Sequence, residues 1–192
     1  HYKPVVSVQA SAVYVVPQAW NGVVERLKMN GVIMKRFAKD TSISCIVKYI
    51  TEFETSKKPY EGHYSHYNTK VRIETQTINF FEGDYLIETN QSCNRYIVET
   101  LEPQGDDSFF AWNFFDGILQ QKEWFSDYVF EEKAEELLKT NSKLSKEFES
   151  KKKSDTTFSD NHWAQLSFIY RNSVYYEKSH NRYPVFGLNS TI

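Results

Sequence analysis

The prevailing hydrophobic period of this chain changes near Pro103, and that change constrains the fold more than any other feature of the sequence. Before it, apolar residues recur in short, often alternating runs. After it, they recur at three- and four-residue spacing. Strands first and helices last is the order of an α+β fold, where helices gather on one side or end of a sheet.

The first half has more detail. Ala12 to Val16 reads as a short apolar strand ended by Pro17, and Trp20, Val23, Val24 and Leu27 then fall at helical spacing. Asn30-Gly31 is a helix stop, because both residues tolerate a left-handed backbone. Val32 to Phe37 follows as a strand. This predicts a β-α-β unit whose two strands lie side by side and parallel, with a right-handed crossover. Ile43 to Phe53, Val71 to Thr77, Tyr85 to Ile87 and Tyr96 to Val98 read as further strands, closely spaced enough to pair antiparallel. The expected fold class is therefore α+β: a mixed sheet with an N-terminal β-α-β unit followed by antiparallel strands, and helices concentrated in the C-terminal half.

Beyond Pro103, Asp106, Asp107 and Ser108 are helix-capping residues, and Phe109 to Gln121 is predicted as a strongly apolar helix. Asp127 caps a predicted helix from Tyr128 to Leu138. Leu144 and Phe148 mark a highly charged one, and Phe158 to Tyr170 another. Arg182 to Phe186 reads as an extended segment pinned by aromatics. The length of 192 residues suits a single domain. It would be strand-rich over 1–103, with a helix-rich part over 104–180 packing on it and an extended tail over 181–192. His1 and the extended-looking Val5-Val6-Ser7-Val8 read as the start of a cut chain taken from a longer protein.

Composition narrows the function classes. With 23 Lys+Arg against 25 Asp+Glu the net charge is -2, which argues against a dedicated nucleic-acid binder. No run of about 18 apolar residues exists, so no transmembrane helix is expected. Aromatics make up 16% of the chain and must carry much of its core. Cys45 and Cys93 read as two small buried hydrophobes or as a bridge.

Candidate chemistry is sparse. His63 and His66 form the one close histidine pair, beside Tyr60, Glu61 and Tyr64, and nothing obvious supplies a third metal ligand, so no metal site is assigned. Glu99 and Glu102 flank the end of a predicted strand, and a glycosidase pair would need their carboxyls about 5 Å apart across a cleft. Arg95 lies near Cys93 in a polar turn, and nothing there is an evident base. Trp20, Tyr64, Tyr67, Trp124 and Trp163 are candidates for exposed aromatics that stack on glycans, with Trp163 the best fitted of them to a core role. No catalytic residue is assigned. Trp20, Tyr60, Glu61, His63, Tyr64, His66, Arg95, Glu99 and Glu102 stand as binding candidates.

Several segments carry a family resemblance. They are Tyr14-Val15-Val16-Pro17-Gln18-Ala19-Trp20 through Glu25 to Val32; Pro59-Tyr60-Glu61-Gly62-His63-Tyr64; and Gly83 to Tyr96 with Glu99-Thr100-Leu101-Glu102-Pro103 and Asp107 to Glu123. Together they resemble the accessory region downstream of the catalytic domain in Bacteroidetes-type zinc carboxypeptidases (peptidase family M14), over roughly residues 12–186. The family's zinc ligands, catalytic Glu and substrate-binding Arg lie in the upstream domain and match nothing here. The resemblance implies a non-catalytic accessory domain that stabilises, orients or targets an upstream peptidase. It implies no cofactor in this chain, zinc in the upstream domain, and a secreted, periplasmic or cell-surface location. The upstream domain is the expected partner, with cell-wall peptide or glycan as a further one; the apolar stretch from Phe109 to Leu119 either fills the groove between the sheet and the last helices or meets that partner, with Phe109, Phe110, Trp112, Phe114 and Phe115 as the candidate contact residues. The alternatives are a glycan- or peptidoglycan-binding module, or an independent hydrolase built on Glu61, His63 and His66 or on Glu99 and Glu102.

Overall fold

The computed structural model describes residues 6–190, so His1 and Val5 of the expected extended start lie outside the described residues. The chain divides into two compact units, residues 1–120 with 181–192 and residues 121–180.

Unit 1 is a six-stranded sheet with two helices. Its elements in chain order are β1 (Val13–Val16), α1 (Asn21–Met29), β2 (Lys35–Arg36), β3 (Thr41–Thr55), β4 (His66–Phe80), β5 (Tyr85–Glu88), α2 (Asn94–Leu101) and, after the residues of unit 2, β6 (Phe186–Leu188). The strand order is β2-β5-β1-β6-β3-β4 and every ladder among the described residues is antiparallel. The N-terminal β-α-β unit is present, but β5 pairs with both β1 and β2 and so lies between them. The two strands therefore run in the same direction without touching.

All four residues of β1 are buried, which explains its unbroken apolar run. Tyr14 and Val16 join a core with α1, α2 and the aromatic segment 109–118, whereas Val13 and Val15 join a second cluster with Phe37, Val47, Phe80 and Phe186. Residues 181–188 thread between β1 and β3. Ile50 N donates to Asn181 O, Tyr183 N donates to Lys48 O, and Ala12 N donates to Leu188 O. Within the segment expected to be an extended tail, Phe186–Leu188 form the interior strand β6.

Two expected elements are replaced. Tyr96 to Val98 lies in helix α2, because Ile97, Thr100 and Leu101 form a buried helical stripe that outweighs the β-type local run. Phe109 to Gln121 is a series of turns ending in one 3-10 turn, Asp116–Ile118. Asn113 at φ 65 breaks the helical path that Phe110, Phe114 and Ile118 suggest. Both cysteines are free, Cys45 buried and Cys93 half-buried.

Unit 2 holds α3 (Asp127–Thr140), α4 (Ser142–Ser154), α5 (Thr156–Ser159) and α6 (His162–Arg171). The single helix expected over Phe158 to Tyr170 is broken at Asp160-Asn161, where the Asn161 side chain caps α6 by accepting from Ala164 N. Asn141 and Asp155 cap α4 and α5 in the same way. The core of unit 2 is Phe130, Ala134, Leu144, Phe148, Phe158, Leu166, Ile169 and Tyr170.

Candidate functional site

Helix α2 buries Ile97, Thr100 and Leu101 and so turns Arg95 and Glu99 to solvent. The chain leaves it through a tight loop. Gly105 N donates to Glu102 O, Ser108 N donates to Gly105 O, and Phe109 N donates back to Thr100 O. A Cβ on Gly105 would fall 2.4 Å from the Glu99 carbonyl oxygen, so the loop needs glycine there. The buried Ser108 hydroxyl accepts from Ala111 N at 3.0 Å, fixing the turn that follows.

That turn sorts five aromatics. Phe109, Phe110 and Phe115 are buried in unit 1, with Phe115 edge-on to Trp20 at 4.9 Å and to Tyr183 at 5.1 Å. Trp112 and Phe114 stay half-exposed. The apolar face expected from this segment is therefore absent as such: it is not a helix, and three of its five aromatics are already packed. Trp20 likewise packs into the core cluster.

Tyr60 to His63 is a two-residue hairpin, with Tyr60 and His63 exchanging both backbone hydrogen bonds at 2.9 Å. Glu61 (φ 48) and Gly62 (φ 82) both take the positive φ such a turn demands. The hairpin sets His63 against Trp112 at 5.4 Å and Phe114 at 6.3 Å, and Tyr60 at 6.2 Å from Trp112. From α1, the Arg26 guanidinium lies 4.3 Å over the Phe114 ring.

These pieces border an open groove of about 930 Å3 between His63, Tyr96, Phe109, Trp112 and Phe114 on its aromatic sides and Arg26, Arg95, Glu99, Asp106 and Asp107 on its charged ones. Asp107 accepts from the Trp112 indole N–H at 3.4 Å. The side chains of Arg95, Glu99 and Asp106 have no hydrogen-bond or ion-pair partner among the described residues. The groove thus offers both charge signs, uncommitted, beside an aromatic wall.

The other sequence candidates go elsewhere. Glu102 is sealed inside, 1% exposed, paired with the Lys48 ammonium and accepting from the Tyr14 hydroxyl at 2.7 Å. Burial first, then the Glu102 charge, pushes the Tyr14 phenol far above its ordinary range, so it stays a donor. Tyr183 is wholly buried nearby, pushed up by the same causes, and its hydroxyl has no hydrogen-bond partner among the described residues. Glu99 and Glu102 share the lining of a second cavity of about 570 Å3, but Glu102 is already committed to Lys48 and Tyr14.

His66 is buried under Phe53 and Phe110 and does not line the groove. Its Nδ1 lies 2.9 Å from Thr55 Oγ1, and its Nε2 lies 3.0 Å from Asp116 Oδ1 and 3.2 Å from Asn113 Nδ2. With His66 N donating to Ala111 O and Asn113 Nδ2 donating to Tyr64 O, this is a latch that ties β4 to the aromatic turns. Tyr64 is 51% exposed and Glu61 stands at the hairpin tip. His63 and His66 face different surroundings, and among the described residues no group of three or more His, Cys, Asp or Glu could hold a metal ion.

Sequence reasoning brought His63, Arg95, Glu99, Phe109, Trp112 and Phe114 forward, and the fold gathers all six at the groove. It missed Arg26, which carried no reading of its own, Tyr96, which read as a strand residue, and Asp106 and Asp107, which read as helix caps. Lys48 did carry a signal, a lone charge in the run Ile46-Val47-Lys48-Tyr49-Ile50. No family model matches this chain, and no curated protein or solved structure matches it.

Proposed function

We propose that this chain is a non-catalytic accessory domain that holds a short charged peptide in the groove between α2 and the Trp112 turn. The supporting observation is the set of unpartnered Arg95, Glu99 and Asp106 beside the Trp112–Phe114–His63 wall. A guanidinium takes a carboxylate, a carboxylate takes an ammonium, and the rings take an apolar side chain. A peptide with a free terminus supplies all three. The rings favour this over a flat glycan platform, because Tyr60 and His63 meet Trp112 at 54° and 80° and present no common plane. A non-catalytic role is supported by the scatter of the hydrolase candidates: Glu61 at a hairpin tip, His66 in a latch, Glu102 in a buried ion pair. The resemblance to the region downstream of zinc carboxypeptidase domains adds an upstream peptidase as the partner, with an exported location. Among the described residues no helix is long and apolar enough to cross a membrane.

Titrating the chain with short peptides, free or amidated at the C-terminus, under 15N NMR tests the groove. Free-acid peptides should shift the amides of α2 and of residues 105–114, and Arg95→Gln should weaken them about tenfold. Identical shifts for acid and amide, or none at millimolar peptide, would overturn the reading. The accessory role is tested by peptidase turnover with and without residues 1–192, where no difference counts against it.

A further inference from the structure

Unit 2 carries a cavity of its own, about 440 Å3, where the end of α4 and the start of α5 face the stripe Ala164, Ser167, Phe168 and Arg171 of α6. That volume suits one small molecule. We propose that it binds an acidic sugar, with Trp163 under the ring and Arg171 and Lys151 on the carboxylate.

Trp163, expected to be a core residue, is 46% exposed and lines this cavity. Trp124 backs it in a near-parallel stack (5.6 Å, 19°), and Phe125 backs Trp124 (5.7 Å, 15°). The indole is therefore held in a fixed orientation without being covered. A fixed, half-open indole suits the flat C–H face of a pyranose.

The charge is uneven. The Arg171 side chain has no hydrogen bond or ion pair among the described residues. Lys151 stands 3.9 Å from Asp155, whose other oxygen is occupied in capping Phe158 N, so one positive charge is left over. A neutral sugar would leave that charge unused, and a bare inorganic anion would leave the indole unused.

The polar groups that remain suit hydroxyls. Asn161 spends its oxygen on Ala164 N and keeps its NH2. Asn172 spends its NH2 on Phe168 O and keeps its oxygen. One free donor and one free acceptor thus border the cavity. Ser167 is 6% exposed, lies at the middle of the stripe, and its hydroxyl has no partner among the described residues. A buried hydroxyl without a partner is rare in a folded protein. A ligand hydroxyl would supply the missing bond, after a turn of the Ser167 rotamer.

The test titrates the full chain with D-glucuronate, D-glucose and acetate, by calorimetry and 15N NMR at low salt. Glucuronate should bind saturably and shift the amides of α6. Arg171→Gln should weaken it about tenfold and Ser167→Ala less, while Lys39→Gln, at an exposed residue that lines neither cavity, leaves it unchanged. Arg171 and Ser167 lie on the folded helix, and an unchanged circular dichroism spectrum verifies each variant. A diuronate as a second probe tells a polymer end from the free sugar, binding tighter in the first case and weaker in the second. Saturable binding of acetate or glucose equal to that of glucuronate, no binding at all, or indifference to Arg171→Gln overturns the proposal.

Discussion

Lys48 is a charge on an interior strand, and its setting shows what a buried ion pair demands. Among the described residues only Glu102 balances it, and Tyr14 holds Glu102 in turn. Removing one partner leaves the other buried and uncompensated. Lys48→Met should therefore cost about 3–5 kcal/mol in urea unfolding, whereas Lys48→Met with Glu102→Leu should recover most of that loss. An equal loss in single and double variants would show that charge is not the cause. Cys45 gives a simpler reading. Burial, partly opposed by Arg182, pushes its thiol up to about 11, so at pH 8 it is protonated and enclosed. Iodoacetamide should modify Cys93 first and reach Cys45 only on unfolding, as mass spectrometry would show. Rapid double modification of the folded chain would contradict this. The lone lysine in an apolar run was legible in the sequence. Its partner was not, because Glu102 lies 54 residues away and the pairing is made by the fold.

At the scale of elements, β6 is the piece with least tolerance. A Cβ on Gly187 would fall 2.1 Å from Ser11 Oγ. Gly187→Ala should destabilise unit 1 by about 1–3 kcal/mol, and adding Ser11→Gly should restore part of that. No recovery in the double variant would place the strain elsewhere. In unit 2 the comparable tie is Glu177. Its carboxyl is held below the usual carboxylate range by the Lys122 backbone N–H at 2.8 Å, against the opposing effect of burial, with help from Ser179, Glu123 N–H and His180. A lowered carboxyl stabilises the fold at neutral pH, and the contribution is lost as pH falls through its folded value. Acid titration should release the 122–123 turn in the native chain, while Glu177→Gln should flatten that dependence. The same acid response in the variant would remove Glu177 from the explanation. Strands β3, β4 and β5 were readable because one face of each alternates or packs. Helix α2 and the 109–118 turns were not. In both, long-range packing of Ile97, Leu101, Phe109, Phe110 and Phe115 overrides the local period.

For the whole molecule, the α+β class with an N-terminal β-α-β unit followed from the order of hydrophobic periods. The strand order did not, because nothing in the spacing of β1 and β2 announces that β5 will separate them. The groove was legible in pieces. His63, Arg95, Glu99 and Trp112 stood out as residue types, and only the fold shows that they meet. Unit 1 rests on two core clusters and unit 2 on one small cluster. Small cores give marginal units. Hydrogen exchange should therefore release α3, α4 and α6 before β1 and β6, and the reverse order would show that unit 2 is the firmer body. The position of β6 has a consequence in time. A ribosome delivers β1 and β3 long before residues 186–188, and until those emerge β1 and β3 have no strand between them. The whole of 121–180 is synthesised in that interval. A nascent chain halted at residue 180 would hold every residue of the helical unit while the sheet is still open at its middle, and closing that sheet waits for residues 186–188.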